Sequence, residues 1–172
     1  MSPITRLPAD EFRENIKSLA DLLVDVVAEG YSLGFLAPFD QDAAAAWWRD
    51  QQPAVDGGGL RVWAAHGPDG IIATACLVLE DRPAGRHRAE IVKIMVHPDA
   101  RGRGLGRALL ATAERAAAEA GITLLLLDTV SGTAAEHLYT SAGWKRYGVV
   151  PGYAADPHGT LQESGFFYKQ LT

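Results

Sequence analysis

The sequence has a single cysteine, Cys76, among 172 residues, so an internal disulfide and a cysteine-built zinc site are both excluded. It has no apolar run approaching the roughly 20 residues that span a bilayer. Its N-terminus lacks the charged-then-apolar order of a secretory signal, and the cytoplasm is the expected compartment. Repeats, low-complexity tracts and an interdomain linker are also missing, which favours one domain over 1–172. Charged residues make up only 22% and hydrophobic residues 48%, a composition that buries a core rather than staying disordered. His97 and His158 have no partners at metal-ligand spacing, and no metal is expected.

Charge is spread unevenly along the chain. Residues 1–60 carry 4 basic and 10 acidic side chains, residues 61–107 carry 8 and 5, and residues 108–172 carry 4 and 6. A locally basic middle in a chain of net charge −5 points to a confined anion site, not to a nucleic-acid surface.

Apolar periodicity outlines the fold. Phe12, Ile16, Leu19, Leu22 or Leu23, and Val26 share a stripe at helical spacing, so a helix capped by Asp10 is predicted over 11–28. A second helix is predicted from Asp40, followed by a Pro/Gly loop over 51–59. Strands are predicted at 60–66, 71–79 and 89–96, joined by polar turns as an antiparallel meander. A helix over 104–120 comes next, and Gly121 stops it. The strand 123–127 is apolar throughout, the pattern of a strand covered on both faces. A helix over 133–142 and strands at 144–150 and 163–170 complete an α/β (α+β) order. That order predicts a mixed, mostly antiparallel sheet of six to seven strands with helices on both faces.

The stretch Val96-His97-Pro98-Asp99-Ala100-Arg101-Gly102-Arg103-Gly104-Leu105-Gly106-Arg107 lies between a predicted strand and a predicted helix. A diphosphate requires backbone N–H donors, close approach without Cβ atoms, and the positive end of a helix dipole. Gly102, Gly104 and Gly106 allow the approach, and Arg101, Arg103 and Arg107 add positive charge. A Walker A loop is excluded because no Gly-Lys-Ser/Thr follows at the required spacing. A dinucleotide fingerprint is excluded because the glycines alternate strictly and the element order is wrong.

Arg101-x-x-Gly104-x-Gly106, following a strand that ends Val-x-Pro, resembles the acetyl-CoA signature of the GCN5-related N-acetyltransferases (GNAT). Ala89 to Val96 and Ala135-x-x-Leu138-Tyr139-x-x-Ala142-Gly143-Trp144 match the same family. Within the family the resemblance is greatest to the tabtoxin-resistance-like members, through Ser32-Leu33-Gly34-Phe35, Leu127-Asp128-Thr129 and Pro151-Gly152-Tyr153. The sequence departs from many members at Gly132, where they carry an asparagine that helps hold the cofactor.

The resemblance implies a sheet splayed at its middle, with acetyl-CoA as acetyl donor wedged between strands ending near Val96 and Asp128. It implies contacts from Met95 and Val96 to the pantetheine arm and a pyrophosphate site formed by Arg101, Gly102, Arg103, Gly104, Leu105, Gly106 and Arg107. The acceptor implied is a small-molecule amine such as an amino-acid-like toxin or antibiotic, and a homodimer is a family expectation.

Acetyl transfer to an amine needs a base for the ammonium and an acid for the leaving thiolate. Glu90 lies in an apolar strand where burial would raise its pKa, although an ordinary half-exposed strand carboxylate fits the pattern equally well. Asp128 ends the leucine strand and is either a second base or amine anchor, or a turn cap. Tyr139 is the candidate acid, with a core aromatic as the alternative. Phe35, Trp63, Trp47 and Tyr153 are candidates for the acceptor wall. A non-catalytic acyl-CoA sensor and a peptide N-acetyltransferase are the competing functional readings.

Overall fold

The computed structural model describes residues 2–172. Seven strands form one sheet in the order β1-β2-β3-β4-β5-β7-β6. They are β1 (Ile4–Leu7), β2 (Leu60–Gly67), β3 (Gly70–Leu79), β4 (Arg88–Val96), β5 (Leu124–Val130), β6 (Lys145–Ala155) and β7 (Leu161–Gln170). Only the β4–β5 pair is parallel; every other neighbouring pair is antiparallel. Among the described residues six α-helices cover the sheet: α1 (Ala9–Glu14), α2 (Ile16–Ala28), α3 (Gln41–Asp50), α4 (Gln52–Asp56), α5 (Leu105–Glu119) and α6 (Ala134–Ser141).

The two faces have separate cores. Phe12, Leu19, Leu23 and Trp48 from the first helices pack on Val62, Ala64, Cys76 and Met95. Leu105, Leu109, Leu110 and Ala113 of α5 pack on Ala73, Leu77, Ile91 and Leu125 from the opposite side. The stripe Phe12, Ile16, Leu19, Leu22, Leu23 and Val26 is buried in the first of these cores.

Several details depart from the expectations. The helix predicted over 11–28 is two helices, broken at Asn15, whose side chain donates to the Glu11 carbonyl at 2.8 Å. Pro8, not Asp10, occupies the N-cap. Asp40 does cap α3, accepting from the Ala43 N–H at 2.8 Å. The predicted loop at 51–59 contains the short helix α4, and β1 was not foreseen. β5 is covered on one face only: Leu125 and Leu127 are buried, whereas Leu124 and Leu126 are half-buried. β6 runs on to Ala155 as an edge strand, absorbing Pro151 and Gly152 where its register against β7 shifts.

Candidate active site

The site is made by hydrogen bonds that β4 and β5 do not form. Their ladder covers only Arg88–Glu90 against Leu124–Leu126, and beyond that point the strands diverge. β4 continues six residues to Val96, still paired on its other side with β3. β5 continues to Val130, paired with β7. Between them opens a cleft of ≈ 500 Å³. Met95, Val96, Arg101, Gly106, Asp128, Tyr139 and Tyr153 all contribute to its wall, as do Thr133, Ala134 and Ala135 of the turn that carries Gly132.

At one end of the cleft is the glycine turn. Gly102 and Gly104 have φ of +74° and +78°, a region that glycine enters without a Cβ penalty. Gly104 is the N-cap of α5 and supplies no side-chain cap. None of the N–H groups of residues 102–107 has a backbone acceptor in the turn, leaving the free donors and the positive dipole end of a helix start. A Cβ on Gly106 would meet only Leu138 at 3.5 Å and Val96 at 3.9 Å, ordinary contacts. The protein itself therefore does not require glycine there, and the missing side chain keeps the cleft clear at the helix mouth. These features fit a diphosphate-bearing donor.

The three arginines are not equivalent. Arg101 lines the cleft; its Nε donates to the Val96 carbonyl at 3.2 Å and its guanidinium lies 3.6 Å from the Glu29 carboxylate and over the Tyr31 ring. Arg103 donates to the Asp99 carbonyl at 3.0 Å, and Arg107 to the Ser141 hydroxyl at 2.6 Å, both outside the cleft wall. Leu105 is buried beneath the helix, so only its backbone faces the turn.

Of the three candidate catalytic groups, Asp128 and Tyr139 lie in the cleft wall and Glu90 lies at the last rung of the β4–β5 ladder. Asp128 lines the cleft, and desolvation raises its pKa while Lys93 opposes the rise. Glu90 is not part of the wall and its side chain is exposed to solvent. Desolvation, then the Asp128 charge, raise the Glu90 pKa against the pull of Lys93. Tyr139 is buried against Trp144 and Phe167 but reaches the wall, and burial pushes its phenol up to about 12. Its hydroxyl is thus protonated throughout the physiological range.

The predicted acceptor wall needs correction. Trp63 is only 5% exposed and sits in the core under α5, away from the cleft. Four consecutive β2 residues from Val62 to Ala65 are buried, so alternation along that strand gave no way to tell its faces apart. Phe35 and Trp47 stand behind the wall: they pack against each other with ring centroids 5.5 Å apart, and Phe35 stacks on Phe39. Tyr153 does line the cleft, edge-on to Phe166 at 4.9 Å.

Two wall features were not foreseen. One is Lys93, at the only positive-φ non-glycine position among the described residues (φ +53°), where the β3–β4 register shifts. A cation in the run Ile-Val-Lys-Ile-Met was the available signal. The other is the segment from Tyr31 to Gly34, which roofs the cleft. Ser32 donates to the Ala155 carbonyl at 2.8 Å, tying this segment to the end of β6, and three residues after it Ala37 N–H donates to the Pro157 carbonyl at 2.8 Å in the turn beyond β6.

A profile of the acetyltransferase (GNAT) family matches residues 24–144, more than half of the chain, and the protein belongs to that family. Solved structures agree in fold. The ribosomal-protein-alanine N-acetyltransferase of Brucella melitensis superposes with a TM-score of 0.77 at 22% identity, over 98% of this chain and 99% of that one. An N-acetyltransferase from Staphylococcus aureus Mu50 gives 0.79 at 17% identity, over 99% and 100%. A phosphinothricin acetyltransferase from Sinorhizobium meliloti, solved with acetyl-CoA, gives 0.78 at 20% identity, over 99% and 88%. As a member of this family the protein is an N-acetyltransferase with acetyl-CoA as donor. No helix among the described residues is long and apolar enough to cross a membrane.

Proposed function

We propose that the protein acetylates the amine of a small molecule through a ternary complex with acetyl-CoA. The observation that carries this reading is the cleft where β4 and β5 part, which has Asp128 and Tyr139 in its wall and is covered by a segment tied to β6 through Ser32. A roof tied to the end of β6 through Ser32, and to the turn beyond it through Ala37, suits a small acceptor better than an extended peptide, the alternative raised by the Brucella melitensis enzyme's name. The fold shared with a phosphinothricin acetyltransferase and the tabtoxin-resistance-like motifs support an amino-acid-like toxin or antibiotic as acceptor.

Bound acetyl-CoA supplies the activated thioester. The free N–H groups of the Gly102–Arg107 turn hold the diphosphate, with Arg101 beside it, and the unpaired edge of β4 around Met95 and Val96 holds the pantetheine arm. Glu90, assisted by Asp128, takes the ammonium proton through water, because an ammonium has no lone pair with which to attack. The Val96 N–H polarises the thioester carbonyl. The Tyr139 hydroxyl hands its proton to the departing sulfur.

A thiol-release assay over an amine panel that includes β-lactam amino acids and aminoglycosides tests the reading. CoA release dependent on one amine class is expected. Tight acetyl-CoA binding with no release against any amine would replace it with the non-catalytic sensor.

A further inference from the structure

Lys93 lines the cleft and forms no ion pair among the described residues, although two carboxylates lie near it. Its ammonium donates to the Leu33 carbonyl at 2.9 Å and lies 5.5 Å and 5.2 Å from the ring centroids of Phe35 and Trp47. An ammonium has three N–H donors, and one carbonyl uses one of them. The two rings shield its flanks without accepting a full hydrogen bond. No aspartate or glutamate forms an ion pair with it among the described residues. Glu90 and Asp128 are likewise without ion-pair partners there, though close enough to act on Lys93 electrostatically.

A partly buried charge is costly unless it is paired. Burial still holds the Lys93 pKa below its ordinary value, so Asp128 and Glu90 offset that cost only in part. The backbone adds to it, because a residue other than glycine at φ +53° is disfavoured and persists only where the surroundings hold it. Lys93 and Asp128 line the cleft unpaired, with Glu90 at the last rung of the β4–β5 ladder beside it, and charges of both signs held apart are the pattern that a zwitterion would complement.

We propose that Lys93 anchors a carboxylate of the acceptor, which makes the substrate class an amino acid: its amine faces the Glu90–Asp128 side and its carboxylate faces Lys93. This rests on the reading of the cleft as an amine-acetylating site and narrows the acceptor to molecules carrying both groups. Lys93 takes no part in bond making; it selects and positions. Burial lowers its pKa, and a bound carboxylate would restore it.

The experiment compares matched acceptors, L-lysine against cadaverine and L-alanine against alaninamide, in wild type, Lys93→Met and Lys93→Arg. The quantity read is the ratio of kcat/KM for the acid to kcat/KM for its carboxylate-free partner. Comparing that ratio between variants cancels differences in intrinsic amine reactivity. In wild type the acids are expected to be preferred. In Lys93→Met the ratio should fall about 10- to 100-fold, the size of one charge-assisted hydrogen bond, and Lys93→Arg should keep most of it. A purely structural role for Lys93 would lower both members of each pair together, and an unchanged ratio overturns the proposal. So does a wild-type preference for the carboxylate-free partners, a result that needs no variant. If no amine supports CoA release, the acetyl-transfer reading fails first. Calorimetry of L-lysine on the CoA-loaded protein then tests the anchor alone: binding lost in Lys93→Met supports it, and equal or absent binding overturns it.

Discussion

Glu90 and Asp128 share one face of the sheet at the last place where their strands are still joined. Glu90 is in register with Leu126, and Asp128 follows two residues later on the same side. Burial raises the pKa of both carboxylates, the Asp128 charge raises that of Glu90 further, and Lys93 opposes the rise in each.

The pH dependence of acetyl transfer follows from that pair. A base works only when ionised, so kcat/KM should be level above its pKa and fall tenfold per pH unit below it. Because desolvation and Asp128 both raise the Glu90 pKa, the fall should begin at a higher pH than for an ordinary glutamate. Asp128→Asn removes one of those causes, so the limb should move to lower pH while part of the activity survives. Glu90→Gln should abolish the limb. Stopped-time thiol release between pH 4 and pH 9 measures both, and a limb unmoved by Asp128→Asn would separate the two carboxylates.

Tyr139→Phe keeps the ring that packs on Trp144 and Phe167 and removes the hydroxyl. The expected result is a fall in kcat of about a hundredfold, with acetyl-CoA affinity nearly unchanged. Steady-state kinetics alongside calorimetry would show it. Equal losses in kcat and in affinity would instead mark the tyrosine as part of the donor pocket's shape.

Gly106→Val tests the helix mouth. The protein has room for a Cβ there, so the melting temperature should hold to within a few degrees. The branched side chain would enter the space assigned to the donor, and acetyl-CoA should bind at least about tenfold more weakly, the equivalent of one or two hydrogen bonds. Unchanged affinity would place the diphosphate elsewhere.

Leu109→Ala probes the core beneath the site. Leu109 is fully buried among α5 and sheet residues, so its truncation should cost about 2–5 kcal/mol, read by urea unfolding. A smaller loss would mean that α5 settles into the cavity.

Much of this arrangement was legible in the chain. The alternation of glycine with arginine after a strand located the mouth of α5, and the leucine run ending in Asp128 located the far wall. What escaped has physical causes. β1 is a four-residue edge strand with only Leu7 buried, too short to show a period. Trp63 was misassigned because β2 is buried on both faces, which erases the alternation that tells inside from outside. Lys93 reads as an ordinary strand cation beside Glu90, and its positive φ at the β3–β4 register shift leaves no mark in the residue pattern. The arginines were read as one cluster, although two of the three are tied to Asp99 and Ser141.

The parting of β4 from β5 leaves a strand edge inside the molecule instead of at its rim. A bare edge on the outside invites other chains to stick to it. This one is walled by α6 and the Tyr31–Gly34 roof, so only something as slim as a single extended arm can reach its open peptide groups. The fold thereby turns what would be an aggregation hazard into a filter on the width of its visitor.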